Sequence, residues 1–403
     1  MMTLVSLRLI YCETVVVITF SHRAQAITPF YAMAFSEKAS ALEKQGHPVI
    51  RLNIGEPDFG APPPVAEAMQ EIVKHGDLPY TSALGLPALR EAIANFYQLR
   101  HQVTVNPINV VVTAGASAAL LLVCAALIND GDKVMLADPA YPCNRQFIRC
   151  FGGELASVTT NAKTRFQLSA QSVQANWDDT IKGVMLASPS NPTGTSVLPQ
   201  DMDAILNFAK TKGAWRIVDE IYLNLSHGQV PHTALAYDKD AIVINSFSKY
   251  FGMTGWRLGW CVVPDEMIPI MERLAQNLYI CPSTPAQHAA LACFTPETLT
   301  VCERRRDILI HRRHRVLAGL EKIGLSVDVK PDGAFYVYIN VTQTGLTAMA
   351  FCEQLLQQQF VALTPGNDFG EATGDHYVRL SFAAAEHELD EGIARIGQFL
   401  QSL

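Results

Sequence analysis

From Asn109 onward, short β-rich runs alternate with longer helical patterns, and this alternation restricts the fold more than any other feature of the chain. Parallel neighbours in a sheet need long crossovers, usually helices, so a repeated strand–helix order predicts a largely parallel sheet with helices on its faces. Six runs are read as buried strands because they are predominantly apolar rather than alternating: 110–112, 133–137, 183–187, 214–218, 241–245 and 258–263. An apolar helix is expected from near Ser117 and another over 201–212. After about Cys281 the pattern changes to long helical stretches such as 296–323, followed by short strands around Val327, 335–339 and 377–382. The expectation is α/β: a large domain over 60–281 and a smaller α+β domain over 282–403. Gly-Pro punctuation at 46–48 and 60–64 sets off a preceding segment, 27–59.

A chain of 403 residues exceeds the size at which single cores usually stop growing, consistent with two domains. With 49% hydrophobic and 17% charged residues it is no disordered polyelectrolyte. Its net charge of -7, without a long block of one sign, argues against nucleic acid or an anionic membrane as partner. The arginines 304–306, 312, 313 and 315 recur at helical spacing, and a solvated helix face is expected for them. Nine cysteines show neither a CxxC pair nor zinc-type spacing, so no metal is expected and a reducing cytoplasm suits them. Residues 1–20 are fairly apolar, but Arg8 and Glu13 interrupt them and no membrane span is expected. The extension 1–26 is read first as an upstream-start artefact of the gene, with a flexible or partner-draping arm and a cleaved signal as the alternatives.

In open α/β sheets ligands bind beyond the carboxyl ends of the strands, and this rule sorts the chemistry-bearing residues. Gly115-Ala116-Ser117 follows the first strand and leads into a helix whose free N–H groups suit a phosphate; a plain tight turn would look similar. Tyr141 follows the second strand, where its ring either stacks on a planar ligand or fills core. Asn191 lies in Ser188-Pro189-Ser190-Asn191-Pro192-Thr193-Gly194, whose prolines hold it rigidly. Asp219 leaves a buried strand at the ligand-facing end, where a carboxylate needs a partner; a protonated pyridine nitrogen is one, and a helix-capping role is the alternative. Lys249 is delivered to the same edge by the 241–245 run. Desolvation there would lower its pKa toward a free amine able to form an imine, while Ser246, Ser248 and Arg257 offer donors to phosphate oxygens.

Taken in order, the segments 52–59, Tyr80-Thr81 with Gly85 and Leu89-Arg90, 188–194, 218–222 and 246–259 resemble the fold-type I pyridoxal-phosphate enzymes. The likeness is to the class I/II aminotransferases related to aspartate aminotransferase, and it runs from about Ile27 to the C-terminus. The resemblance implies a seven-stranded type of sheet, residues 27–59 joining the small domain, and pyridoxal 5'-phosphate as cofactor. It implies Lys249 as the Schiff-base lysine and proton shuttle, Asp219 against the pyridine nitrogen, Tyr222 and Asn191 on the ring oxygen, and Tyr141 stacked on the ring. The phosphate is then held by Gly115, Ala116, Ser117, Ser246 and Arg257, with Tyr80 reaching across from a neighbouring subunit, which implies a homodimer with shared sites. Arg379 would clamp the substrate α-carboxylate, assisted by Asn191 and the Gly55 backbone.

The implied reaction is ping-pong transfer of an amino group from an L-amino acid to a 2-oxo acid. A carbon–sulfur lyase or another reaction on the same cofactor is the main rival. A transcription regulator is disfavoured because the segment ahead of Leu52 has no helix-turn-helix pattern or basic face. No second arginine can be assigned to a distal carboxylate, so the donor amino acid stays open.

Overall fold

Valine-, isoleucine- and leucine-rich runs become the strands of the computed structural model, which describes residues 18–227 and 232–403. Residues 1–17, most of the N-terminal extension, lie outside the described residues. In chain order the strands are β1 (Ile50–Arg51), β2 (Val110–Thr113), β3 (Lys133–Asp138), β4 (Glu154–Thr159), β5 (Ile181–Ala187), β6 (Trp215–Asp219), β7 (Ile242–Ser246), β8 (Gly259–Val262), β9 (Tyr336–Asn340), β10 (Val361–Ala362), β11 (Thr364–Pro365) and β12 (Tyr377–Ser381). Seven form one sheet in the order β2-β8-β7-β6-β5-β3-β4. The pairs β3–β4, β3–β5, β5–β6 and β6–β7 are parallel, and β8 runs antiparallel to both β7 and β2.

Alternate side chains of each inner strand enter different cores. Val243, Trp260 and Val262 belong to one apolar cluster, while Ile242, Ile244 and Cys261 belong to another on the opposite face with Leu120, Val123 and Met271. This two-sided burial is why the inner strands read as largely apolar runs. Besides the two-residue strands β1, β10 and β11, the sequence reading misses β4, Glu-Leu-Ala-Ser-Val-Thr, an edge strand buried only at Val158, while the strand expected around Val327 is only an isolated bridge between Ser326 and Asn340, too short for a ladder. Half-exposed edges carry polar residues and give no continuous apolar signal.

Helices cover both faces. The Ala116–Leu127 helix follows β2 directly, and Pro199–Thr211 begins with its proline in the first turn, where the missing N–H costs nothing. The Pro296–Lys322 helix is capped by Thr295, whose hydroxyl accepts from the Thr298 N–H. Its arginines are not uniformly solvated, which corrects the expectation for that cluster. Arg312 is 6% exposed and donates to both carboxylate oxygens of Asp58 at 2.8 Å, and Arg305 and Arg312 both lie over the Phe59 ring. Residues seven apart share a helix face, and here that face meets the 56–60 segment instead of water. Arg315 stays at the surface, paired with Asp390.

Toward the C-terminus, β9, β12 and β11 form an antiparallel sheet with β12 in the centre, and β1 pairs in parallel with β10. The β1–β10 pairing carries the chain ahead of the large sheet into the C-terminal layer, where Leu52, Leu389 and Ile396 share a core. Among the described residues no helix is long and apolar enough to cross a membrane.

Candidate active site

Strands β5, β6 and β7 run in parallel, so the residues that follow their carboxyl ends converge on one edge of the sheet. A cavity of about 280 Å³ opens there. Gly55, Ala116, Ser117, Tyr141, Asn191, Asp219, Tyr222, Ser246, Ser248, Lys249, Arg257 and Arg379 all line it. Gly115 adjoins it through Arg257. Tyr80 is not part of its wall, and its side chain is 78% exposed.

One end of the cavity is built for an anion. Gly115 adopts φ 90°, a region open to glycine at no steric cost, and a Cβ there would meet Arg257 Nη2 at 2.7 Å. The helix from Ala116 to Leu127 therefore begins beside a guanidinium, with no side-chain cap taking its first N–H groups. Gly259 allows the same close approach from β8, since a Cβ would lie 2.7 Å from the Ala116 nitrogen. Ser246 Oγ donates to Ser248 Oγ at 2.9 Å and accepts the Ser248 N–H at 3.0 Å, which orders both hydroxyls at the end of β7.

The middle of the cavity holds a buried acid and a buried amine. Asp219, 5% exposed, accepts the Ile221 N–H at 3.1 Å. Burial pushes its carboxyl up to about 6, against the opposing effects of that hydrogen bond and the Lys249 charge. Lys249 Nζ donates to the Gly55 carbonyl at 2.7 Å. Burial brings this amine down to about 8; Glu56 and Asp219 oppose the shift, while Arg379 and Arg257 reinforce it. A lysine so placed is partly unprotonated near neutrality, as nucleophilic attack and proton abstraction both require.

At the far end Arg379 is 2% exposed, yet among the described residues no carboxylate lies within ion-pair distance of it. It donates to Asn191 Oδ1 at 2.8 Å and to the Asn53 carbonyl at 2.6 Å, and its guanidinium is held between the rings of Tyr336 and Phe369 at 4.5 and 4.9 Å. A buried cation that makes no ion pair, its charge felt by Asp368 but its fork fixed by neutral acceptors and aromatic faces, is a site for an incoming anion. The guanidinium fork matches a carboxylate.

Sequence reasoning did not single out several contributors. Tyr336 at the start of β9 brings its hydroxyl to 2.8 Å from that of Tyr222. Phe30, Met33 and Ser36 line the cavity from the Tyr31–Lys44 helix and the residue before it. Asp368 fixes that helix by accepting the N–H groups of Tyr31 at 2.9 Å and Ala32 at 3.1 Å. Asn53 Nδ2 adds bonds to the Ala32 carbonyl and to Ser36 Oγ. Tyr336 sits in a strand that reads as ordinary core, so it gave no local signal.

Known proteins are similar to this chain over most of its length. The profile of the family described as aminotransferase class I and II matches residues 47–396. A Mycobacterium tuberculosis protein named valine–pyruvate aminotransferase is 39% identical over 378 residues, covering 93% of this chain and 97% of that one. A crystal structure of an aminotransferase from the same organism superposes with a TM-score of 0.92 at 39% identity, covering 96% of this chain and all 100% of that one. Aspartate aminotransferase from Thermus thermophilus with maleate gives 0.91 at 30% identity, with 96% and 100% covered.

Proposed function

The chain belongs to the class I and II aminotransferases, and from that premise we propose that Lys249, Asp219 and Arg379 divide the work of a single transamination site. Members of this family are pyridoxal-phosphate-dependent enzymes acting on amino and 2-oxo acids, and the chain is a transaminase of that kind; the lyase alternative is not favoured.

The residues suit the cofactor on three counts. The carboxylate of Asp219 is buried with a lone backbone donor among the described residues, and a protonated ring nitrogen would compensate it. The helix start at Gly115 to Ser117, with Ser246, Ser248 and Arg257, forms a donor set for a phosphate. Tyr222 and Asn191 offer polar atoms toward a ring oxygen, and Tyr141 offers a ring face. When bound, the cofactor supplies an electron-poor ring that delocalises the electron pair left when the substrate Cα–H bond breaks.

The chain's own residues do the rest. Lys249 would hold the cofactor at rest, and its Nζ, when free, would take the Cα proton and deliver it to the cofactor carbon within the same half-reaction, the second half-reaction running that transfer in reverse. Arg379, aimed by Asn191 and the Asn53 carbonyl, binds the α-carboxylate through its fork and so orients the Cα–H bond toward Lys249. The Gly55 carbonyl, which holds Lys249 Nζ, lies at the same end of the wall.

For the substrate side chain we infer a neutral, apolar donor with pyruvate as an acceptor. Phe30, Met33 and Ile54 supply apolar wall, and the lysine and arginines that line the cavity, Lys249, Arg257 and Arg379, already have roles. The name of the M. tuberculosis relative, valine–pyruvate aminotransferase, supports this choice.

We further propose a homodimer in which Tyr80 contributes to the partner's phosphate site. Its exposure supports this, as does that of Leu78, Leu278 and Ile280. Domains at 60–281 and 282–403, with 27–59 joining the latter through the β1–β10 pairing, and a cytoplasmic home suited to free cysteines complete the reading. Light scattering, limited proteolysis and cell fractionation test these three points in turn.

The observation that carries the proposal is the meeting of a buried amine, a buried acid and a buried arginine that makes no ion pair among the described residues, all in one cavity. A panel of amino donors with pyruvate, 2-oxoglutarate and oxaloacetate tests it. Nitrogen transfer to the acceptor, fastest from apolar donors, is expected; release of ammonia without an aminated acceptor contradicts it.

A further inference from the structure

Tyr222 and Tyr336 face each other as a buried phenol pair. Their hydroxyl oxygens are 2.8 Å apart and their rings meet edge to face, centroids 5.6 Å apart at 82°. Both residues are almost wholly buried. Tyr336 is boxed in on its other sides: the Arg379 guanidinium lies over its ring, and its hydroxyl fills the space in which a side chain on Gly55 would sit. The phenol can therefore move little without displacing the arginine or the Gly55 backbone.

We propose that Tyr336 is a positioning residue that sets the direction of the Tyr222 proton: Tyr336 donates to Tyr222 Oη, leaving the Tyr222 proton for the ring oxygen of the bound cofactor. Each phenol has one proton, so the pair has two directions, and an acceptor on the cavity side of Tyr222 selects this one. A hydroxyl that accepts a hydrogen bond is the stronger donor in its own bond, and low local polarity enlarges the effect. Tyr336 thus acts through Tyr222 without touching the cofactor. The proposal rests on the cofactor-binding reading above.

The charged and titratable groups around this pair come from several elements. Arg379 of β12 and Tyr141 from the loop after β3 face Tyr222 and Tyr336, while Lys249 is faced by Glu56, Arg379, Arg257 and Asp219. Replacing Tyr336 by phenylalanine leaves all of them in place and removes one hydroxyl.

A stronger donor to the ring oxygen stabilises negative charge there and so eases loss of the proton from the adjoining Lys249 nitrogen. Weakening that donor therefore raises the pH at which the proton leaves. The test is a spectrophotometric pH titration of the holoenzyme, read as the midpoint of its cofactor absorbance change. Tyr336→Phe is expected to raise the midpoint by about half a unit, a roughly threefold gain in proton affinity. Tyr222→Phe is expected to raise it further, and the double variant should match Tyr222→Phe alone, because the outer phenol has nothing left to act through.

An unshifted midpoint in a Tyr336→Phe holoenzyme with wild-type melting temperature overturns the proposal, as does a shift that persists undiminished in the Tyr222→Phe background. A Tyr336→Phe chain that fails to fold overturns it too, since the hydroxyl would then be structural. Wild-type protein that takes up no cofactor contradicts instead the reading on which the proposal rests.

Discussion

Lys249 Nζ donates to the carbonyl oxygen of Gly55 across 194 positions of sequence, joining the end of β7 to the segment that leads from β1. The amine is held by a neutral acceptor, not by an acid, and burial keeps it at about 8. In the cofactor-free protein Lys249 should therefore react with amine-selective reagents with a half-point near pH 8. Unperturbed lysines titrate near 10.4. Site-resolved labelling followed by mass spectrometry checks this, and a Lys249 half-point indistinguishable from that of surface lysines contradicts it.

Asp219 gives a prediction of opposite character. Its folded pKa, about 6, lies above the ordinary carboxylate value, so its contribution to folding is fully present below about pH 4 and is lost as pH rises through 6. At pH 7 the cofactor-free protein carries a buried, poorly compensated charge. Asp219→Asn should then stabilise the cofactor-free protein at pH 7 by on the order of 1–3 kcal/mol, with the gain vanishing toward pH 4. The same substitution should weaken cofactor binding. Thermal melts at the two pH values, with and without pyridoxal phosphate, measure both effects; a destabilised cofactor-free variant at pH 7 contradicts the account.

The wall formed by Phe30 and Met33 hangs on Asp368, which takes two N–H groups at the start of the Tyr31–Lys44 helix. Loss of a helix cap costs about 1 kcal/mol. Asp368→Ala should therefore raise KM for apolar donors roughly fivefold while kcat changes less than twofold, because the chemistry at Lys249 is untouched. A fall in kcat at constant KM would place Asp368 in the wrong role.

Arg312 and Asp58 form a bidentate pair that ties the Pro296–Lys322 helix to the segment beside Glu56. Asp58→Asn leaves the guanidinium buried with half its pairing, and since Asp58 is partly solvated the expected loss is about 2 kcal/mol. Denaturant titration of the holoenzyme measures it. No change in midpoint would return these arginines to the role of a solvated face.

These cases show what a linear sequence carries. Inner strands such as β7 were legible because both of their faces are buried and every residue is apolar or small. Asp219 and Lys249 were legible because a charged residue at the end of such a strand has few inexpensive places to go. The edge strand β4 was not, because half of it meets water. Tyr336 and Asp368 escape notice, and Arg312 reads as solvated, for a different reason. Their partners Tyr222, Tyr31 and Asp58 lie 114, 337 and 254 positions away, and pattern within a window holds no information about such pairs. Arg379 was the intermediate case: its family position pointed to it, but its burial between two rings belongs to the fold alone.

The central claim is that one amine, Lys249, carries the cofactor in this cavity. Holoenzyme reduced with borohydride, digested and mapped by mass spectrometry should show the reduced pyridoxal-phosphate adduct on the peptide containing Lys249, and Lys249→Ala should take no adduct and lose transamination by on the order of 10³-fold or more. An adduct on a different lysine, or a Lys249→Ala protein that transaminates at the wild-type rate, would contradict it.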